Sequence, residues 1–322
     1  MNNQYYEEYV ELNGIKQYLL HYPARRSKAV VLYLHGGPGS STAHFAYYVD
    51  ELARTNSITI VYWDQRGTGK TYGKNKKVAH RVEIDEMVED TKEVVEYLKK
   101  RYDVDKIVIL GHSWGTVLGS QFVLKYPESV LAYVGVGQVV NMIENERVGY
   151  EKLVEEVKKA NNEKDLNTIS ELGEYPEKNY NPVMLEKITK IRKLQSKYDL
   201  AVSPSWRLIR IMMKSPVFKW KDILDMMGSQ KVNNELLRYL IEYDLTETEY
   251  SIPVYYILGD KDYQTPYSLG IEYLKKINAP RKKLVLVSGA GHDLPLTHAR
   301  EFFEHMDQII SEEINQSKLL SK

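Results

Sequence analysis

The chain of 322 residues contains no cysteine, and its charges balance, with 44 lysines and arginines against 44 aspartates and glutamates. The absence of cysteine excludes disulfides, thiolate metal sites and a cysteine nucleophile. The charge balance argues against a nucleic-acid partner, because phosphate recognition requires an excess or a stripe of basic residues. These absences favour a small or neutral substrate.

The sequence also lacks long apolar segments. No apolar run reaches the roughly 18 residues that a membrane-spanning helix requires. Residues 1–9 are polar and acidic, without the basic start and apolar stretch of a secretory signal. We therefore predict a soluble, cytoplasmic protein with no membrane partner. The oligomeric state does not follow from the sequence.

Over the first 140 residues, short β-rich runs alternate with helical patterns, which is typical of a doubly wound α/β sheet. An antiparallel pair, predicted to turn at Asn13 and Gly14, comes first. Nearly continuous apolar runs then predict central strands covered by helices on both faces, over 29–34, 57–63, 106–110 and 130–136. Helices are predicted between them, at 84–101 and 114–125.

From residue 141 to 250 the pattern changes to helical periodicity without buried strands. Strand signals resume afterwards, and the chain ends in helical patterns; the strands are predicted at 254–258 and 284–287, the helices at 268–277 and 296–314. We therefore predict an α/β-hydrolase core formed by residues 1–140 and 251–322, with a helical cap inserted at residues 141–250.

The candidate nucleophile is Ser113, within Gly111-His112-Ser113-Trp114-Gly115, which fits the pattern G-x-S-x-G. The motif lies between a predicted strand and a predicted helix, where a sharp turn would push the serine hydroxyl out of the sheet. Gly111 and Gly115 leave room for that turn. A chance match to the motif is the alternative, and the strand and helix on either side argue against it.

A glycine-rich turn, His35-Gly36-Gly37-Pro38-Gly39, follows the first buried strand. Such a turn can direct a backbone N–H group at a developing oxyanion. We predict that the amides of Gly37 and Trp114 form the oxyanion hole and that His35, Gly36 and Pro38 support the loop. A glycine-rich turn without a catalytic role is the alternative.

Residues 64–71 end in Gly-Lys-Thr and so resemble a phosphate-binding loop. Asp64 stands where that motif requires its first glycine, and its carboxylate would repel phosphate. We therefore predict a structural turn that braces the active-site loops, with Asp64 and Arg66 held by hydrogen bonds.

In this fold the acid and the base follow the nucleophile in that order, each after a strand. Asp262 follows the strand predicted at 254–258, and His292 follows the strand predicted at 284–287. We prefer Asp262 to Asp260 because it lies further along the loop. In the predicted chemistry His292 takes the proton of Ser113 and later protonates the leaving group, while Asp262 holds the imidazole tautomer. This mechanism needs no cofactor and no metal, and no histidine spacing indicates a metal site.

With these residues identified, the chain resembles the prolyl iminopeptidases and related α/β-hydrolases. Their signature is H-G-G-P-G, then D-Q-R-G-x-G, then G-x-S-W-G, and the matching segments here are residues 35–39, 64–69 and 111–115. The likeness extends to both ends of the core but not to the cap. It implies an aminopeptidase that removes an N-terminal residue, often proline, from short peptides and binds their free amino group with acidic residues beside the cap. Glu144, Glu146 and Glu242 are the candidates for that role, with an ordinary solvated carboxylate as the alternative for each.

The chain departs from that family at three places, which are His112 in place of glycine, Lys70-Thr71 in place of Arg-Ser, and the sequence of residues 134–140. The mechanism tolerates these changes, but the substrate depends on the cap. The cap has an apolar set that fits either a pocket lining or packing within the cap, and packing is the preferred interpretation; the set is Trp206, Met212, Met213, Phe218, Trp220, Met226 and Met227.

Two other functions remain open. A carboxylesterase would use the same three catalytic residues with an uncharged pocket, and a ligand receptor on this fold would bind without turnover. A dehalogenase or an epoxide hydrolase is disfavoured, because each needs an aspartate where this chain has Ser113.

Overall fold

The computed structural model describes residues 5–177, 181–203 and 205–320, so the segment 1–9 is described only from Tyr5. Its strands are β1 (Tyr6–Leu12), β2 (Ile15–Tyr22), β3 (Ala29–Leu34), β4 (Ile58–Asp64), β5 (Ile107–His112), β6 (Val130–Val136), β7 (Val254–Gly259) and β8 (Lys282–Val287). Its helices are α1 (Ala43–Thr55), α2 (Gly69–Asn75), α3 (Ile84–Tyr102), α4 (Trp114–Lys125), α5 (Met142–Lys159), α6 (Glu163–Ser170), α7 (Pro182–Lys197), α8 (Trp206–Lys214), α9 (Trp220–Ser229), α10 (Asn234–Ile241), α11 (Tyr267–Lys276), α12 (Leu294–Thr297) and α13 (Ala299–Leu320).

The strands form one sheet in the order β1-β2-β4-β3-β5-β6-β7-β8. The pairs β1–β2 and β2–β4 are antiparallel, whereas every neighbour from β4 to β8 is parallel. Strands β3, β4, β5 and β7 are buried along their whole length, as parallel strands covered on both faces must be. The doubly wound α/β fold expected from the sequence is confirmed.

Apolar side chains form a separate core on each face of this sheet. Helices α1 and α13 cover one face, where Ala46 and Phe302 are among the buried side chains. Helices α3, α4 and α11 cover the other face through residues such as Leu98, Phe122 and Leu274. The sheet is therefore fixed on both sides, and the loops at the carboxyl ends of its strands are held at one edge.

Two element boundaries differ from the sequence-based expectation in ways that affect the site. Strand β5 extends to His112, so the candidate nucleophile follows the strand directly. The single helix expected at 296–314 is two helices, α12 and α13, because His298 between them leaves helical geometry with φ −119° and ψ 38°.

Helices α5 to α10 lie between β6 and β7. Some of them share an apolar cluster of their own, which includes Leu153, Ile169 and Ile191. The division of the chain into a core and a cap stays a prediction. Among the described helices, none combines the length and the apolar character that crossing a membrane demands.

Candidate active site

Ser113 lies on the sharp turn between β5 and α4, with φ 55° and ψ −121°. A non-glycine residue at positive φ is strained, and this strain is typical of a serine presented at the top of a sheet. The turn depends on its glycines, because a Cβ atom on Gly111 would lie 2.5 Å from the Gly115 carbonyl oxygen, and one on Gly115 would lie 1.9 Å from that of Leu34. The turn therefore requires both glycines of the motif, which argues against a chance match in the sequence.

His292 and Asp262 meet below this turn. Nδ1 of His292 donates to Oδ2 of Asp262 at 2.9 Å, and both side chains are almost fully buried. Asp260, the reserve candidate, instead accepts from the amide of Gly289 at 2.7 Å. Of the two aspartates, Asp262 is thus the one that can orient the imidazole.

Thr265 is a further member of this network that the sequence did not indicate. Its hydroxyl donates to Oδ2 of Asp262 at 2.7 Å and lies 3.1 Å from Nδ1 of His292. The other carboxylate oxygen of Asp262 accepts from the amides of Gln264 and Thr265 at 3.0 and 2.8 Å. Each oxygen of the carboxylate is therefore held by at least two donors.

The two charges of this pair shift one another's titration. Burial by itself would lower the pKa of His292, but the charge and hydrogen bond of Asp262 outweigh it, so the pKa of His292 lies above its ordinary value. Burial would raise the pKa of Asp262, and the attraction to His292 together with its hydrogen bonds lowers it overall. This arrangement stabilises an imidazolium, which is the state a general base reaches when it takes a proton.

A cavity of about 460 Å³ opens beside Ser113 and His292. Within the described part of the chain, the Ser113 hydroxyl and Nε2 of His292 have no hydrogen-bond partner. Most of the wall is apolar, with Phe45, Ile60 and Phe302 among its residues. A carbonyl group entering the cavity would meet the free hydroxyl and the free imidazole nitrogen together.

The glycine-rich turn lies against Ser113. Gly36 and Gly37 line the cavity with Ser113, and Pro38 follows Gly37 through a cis peptide bond. Gly37 has φ 118°, and a Cβ atom there would lie 2.5 Å from the amide of Gly39. The amide of Trp114 is the first of α4, so it has no partner within the helix. Both predicted oxyanion donors thus lie next to the serine.

Gln65 connects the two halves of this predicted oxyanion hole. Its side chain accepts from the indole nitrogen of Trp114 at 3.1 Å and donates to the carbonyl of His35 at 3.3 Å, while its amide donates to Nε2 of His35 at 3.3 Å. Burial lowers the pKa of His35 to about 4, which keeps the ring neutral and able to accept that bond. Asp64 and Arg66, on either side of Gln65, are predicted from the sequence to support the loop, whereas no sequence signal indicates Gln65.

Asp64 and Arg66 are buried and hydrogen-bonded, each to different partners. Asp64 accepts from the hydroxyl of Ser41 and from the amide of Lys70, and burial raises its pKa to about 6 despite these bonds. Arg66 makes a two-pronged ion pair with Asp90 at 2.6 and 2.8 Å. Both hold the loop after β4 in position.

The side chain of Lys70 is also committed. Its ammonium group lies 2.9 Å from the carboxylate of Asp222 on α9, and both residues are buried. Lys70 is therefore engaged in an ion pair within the chain, whereas a phosphate-binding loop would need its ammonium group free to bind phosphate.

His112 holds the loop that carries His292. Its Nε2 donates to the backbone carbonyl of His292 at 2.9 Å, and the two rings lie 4.9 Å apart. Burial, and then the neighbouring charge of His292, lower the pKa of His112 to about 4. A neutral His112 can donate this hydrogen bond. A glycine, which the prolyl iminopeptidases commonly have at this position, has no side chain to make it.

The three glutamates expected to bind an amino group do not reach the cavity. Glu146 is buried but accepts from Tyr175 and from Arg192, which neutralises it inside the helical region. Glu144 and Glu242 lie on the exposed surface, where they pair with arginines of their own helices or helix ends. The arginine and tyrosine partners of these glutamates could not be predicted from their positions in the chain.

Among the described residues that line this cavity, Asp293 is the one with a carboxylate side chain. It stands at the N-cap of α12, where an aspartate ordinarily accepts from a backbone amide, yet its carboxylate makes no such bond. It also lines an adjoining cavity of about 280 Å³, together with His292. Among described residues, no ion pair or hydrogen bond occupies its carboxylate, so it is available to a bound cation.

Across residues 5–177, 181–203 and 205–320, no three histidine, aspartate or glutamate side chains form a group that could hold a metal ion.

The sequence profile of the α/β hydrolase fold matches residues 29–299, which is most of the chain. A probable aminopeptidase, YbaC of Bacillus subtilis (strain 168), is 32% identical over 155 residues, covering 47% of this chain and 48% of that protein. A proline iminopeptidase of Saccharolobus solfataricus is 32% identical over 122 residues, covering 38% and 37%. The chain thus matches about half of the length, or less, of these curated relatives.

Solved structures agree at the level of the fold. The proline iminopeptidase of Mycobacterium smegmatis superposes with a TM-score of 0.69, covering 97% of this chain and all of the other, at 16% identity. The chain belongs to the α/β-hydrolase fold family. Within that family its sequence is similar to the proline iminopeptidases, and this likeness supports a serine hydrolase.

Proposed function

We propose that the protein is a serine hydrolase in which Ser113, His292 and Asp262 act as a catalytic triad. His292 takes the proton of Ser113 through Nε2 as the serine oxygen attacks a carbonyl carbon. The amides of Gly37 and Trp114 stabilise the oxyanion, and collapse of the intermediate releases the leaving group with the proton from His292. Water then hydrolyses the acyl-enzyme by the same route. The observation that carries this proposal is the buried His292–Asp262 bond beside a free serine hydroxyl.

We further propose that the substrate is a short peptide with a free N-terminus, from which the enzyme releases proline or another small apolar residue. The likeness to an aminopeptidase and a proline iminopeptidase supports this reaction. The largely apolar cavity suits the side chain of the first residue. Asp293 supplies the negative charge that an α-ammonium group requires, since the three glutamates considered from the sequence lie elsewhere.

The test is hydrolysis of proline and alanine arylamides beside N-blocked proline arylamide, with Ser113→Ala as the control for background. We expect cleavage of the free-amine substrates and little cleavage of the blocked one. Ser113→Ala should cleave neither the free-amine nor the blocked substrates. Equal cleavage of blocked and free arylamides would refute the aminopeptidase while keeping the serine hydrolase.

A carboxylesterase is the second candidate, and the size and apolar character of the cavity favour it. About 460 Å³ exceeds what a proline ring needs and falls in the range of pockets that bury a medium-sized ligand. Short p-nitrophenyl esters measured beside the arylamides separate the two functions. Ser113-dependent turnover of esters alone would establish the esterase, and no Ser113-dependent turnover of any substrate would favour a receptor.

A further inference from the structure

Helix α9 turns its apolar side away from the protein. Trp220, Leu224 and Met227 recur at i, i+4 and i+7, so they form one stripe, and each is about two-thirds exposed. The buried positions of the same helix are Asp222, Asp225 and Ser229, which are polar. A surface helix ordinarily packs its apolar stripe on the core, and α9 does the reverse.

Ion pairs hold α9 in this orientation. Asp222 pairs with Lys70 of α2 at 2.9 Å, and Asp225 pairs with Lys76 just after α2. Turning the apolar stripe inward would break both pairs and leave Asp222 and Lys70 without their charges compensated. The exposure of the stripe is therefore built into the contact between α2 and α9.

Helix α8 presents a second stripe of the same kind. Trp206, Ile209 and Met213 recur at i, i+3 and i+7 and are exposed, Trp206 by 86% of its surface. The opposite side of α8 carries Ile211, which is buried, and Leu208, which lines both cavities at the site. Packing within the cap, the preferred interpretation of Trp206, Met213, Trp220 and Met227 from the sequence, is thus wrong for these four side chains.

Basic residues flank the two stripes along the sequence. Residues 205–231 contain six exposed basic side chains without an ion-pair partner among the described residues, namely Arg207, Arg210, Lys214, Lys219, Lys221 and Lys231. The acidic residues of this segment are Asp222 and Asp225, and both are buried and paired with lysines of α2 and the residues after it. The exposed side chains that this segment contributes are therefore positively charged, although the whole chain is neutral.

We propose that helices α8 and α9 form a docking surface for a lipid bilayer that contains anionic lipids. We call it the α8–α9 face and define it by Trp206, Ile209, Met213, Trp220, Leu224 and Met227. Tryptophan and aliphatic side chains enter the boundary between headgroups and acyl chains, and neighbouring lysines and arginines attract anionic headgroups. An apolar patch rimmed by charge in this way marks an interaction site.

The charge of the face decides between a bilayer and a second copy of the chain. A symmetric dimer through this face would bring the same six cations against one another, and like charges across an interface oppose association. A bilayer with anionic lipids supplies the opposite charge together with an apolar layer. The prediction of no membrane partner was based on the absence of an apolar run long enough to span a membrane. Docking on the surface of a bilayer does not require a spanning helix.

The position of α8 relates this surface to the candidate active site. Leu208 on its inner side lines the cavity beside Ser113, whereas Trp206 and Ile209 on its outer side belong to the α8–α9 face. Docking would therefore place against the bilayer the outer side of a helix whose inner side lines the cavity. This inference does not depend on whether the substrate is a peptide or an ester.

The first test is sedimentation of the full chain with vesicles of phosphatidylcholine alone, or of equal parts phosphatidylcholine and phosphatidylserine. We expect binding to the mixed vesicles that weakens as salt is raised. Arg210→Gln with Lys214→Gln should weaken binding roughly 25-fold, at about fivefold for each cation. The matched control is Lys158→Gln with Lys193→Gln, exposed cations on α5 and α7, which should bind as the parent does.

The second test uses intrinsic fluorescence, because two of the four tryptophans, Trp63 and Trp114, are fully buried. Mixed vesicles should shift the emission of Trp206 and Trp220 to shorter wavelength, and lipids brominated in the acyl chain should quench it. Trp206→Ser with Trp220→Ser should abolish both effects and vesicle binding, whereas Val78→Ser with Val183→Ser, exposed apolar residues elsewhere, should abolish neither.

Circular dichroism of every variant confirms that it is folded before binding is compared. Failure of the parent chain to bind mixed vesicles would overturn the proposal. Equal binding to neutral vesicles, or self-association that is lost with the two tryptophans, would overturn it as well, the last by assigning the face to a second copy.

Discussion

Replacing Asp293 by Asn tests how the site recognises a substrate. The change removes the charge while keeping the shape of the side chain, and Asn at an N-cap is as favourable as Asp, so α12 should be unaffected. If Asp293 binds the α-ammonium group, the variant should lose activity on free-amine arylamides and keep its activity on uncharged esters.

The magnitude follows from the partial burial of Asp293 at the cavity wall. Exposed ion pairs contribute about 0.2–1 kcal/mol, and loss of one partner of a buried pair costs about 3–5 kcal/mol. A partly buried pair should lie between these, at about 2 kcal/mol. That corresponds to a fall of roughly thirtyfold in kcat/KM for the free-amine substrate, seen mainly in KM.

The assay compares kcat/KM for proline arylamide with kcat/KM for a short ester, in the parent and in Asp293→Asn. The ratio cancels any effect on His292, because both substrates use the same base. Glu242→Gln, an exposed carboxylate outside the cavity, is the matched control and should leave the ratio unchanged. An unchanged ratio in Asp293→Asn would refute the assignment.

Three other predictions concern the triad and the fold. Asp262→Asn should lower kcat about 10⁴-fold on every substrate, because the imidazole loses the partner that fixes its tautomer, and single-turnover kinetics would measure this. The plot of kcat/KM against pH should fall on the acid side with a midpoint above about 6.5, the ordinary pKa of histidine. The reason is that Asp262 raises the pKa of His292, and only the neutral imidazole accepts a proton. A midpoint below that value would contradict the assignment of His292 as the base. Lys70→Met should lower the free energy of unfolding by about 3–5 kcal/mol in a denaturant titration, since it leaves Asp222 charged and buried, whereas adding Asp222→Leu should restore most of the loss.

The parts of the molecule that could be predicted from the sequence are those with local causes. Strands buried on both faces appear as continuous apolar runs, and the turn at Ser113 needs glycines at fixed offsets, so both leave a pattern in the letters. The break at His298 was not predicted, because this residue leaves helical geometry and is itself neither a proline nor a glycine.

What could not be predicted depends on contacts between distant parts of the chain. Glu146 had the right residue type for binding an amine, but Arg192, 46 positions away, already neutralises it. The inverted orientation of α9 follows from the Lys70–Asp222 pair, which joins residues 152 positions apart. Asp293 belongs to no motif, and its proposed role depends on its place in the cavity wall and on the capping bond that its carboxylate does not make.

The proposed role of Ser113 as nucleophile is tested by the site of covalent labelling with a fluorophosphonate, located by mass spectrometry of the digested protein. We expect a single label on Ser113, absent in Ser113→Ala and formed far more slowly in His292→Ala. Labelling of another residue, or turnover that persists in Ser113→Ala, would contradict it.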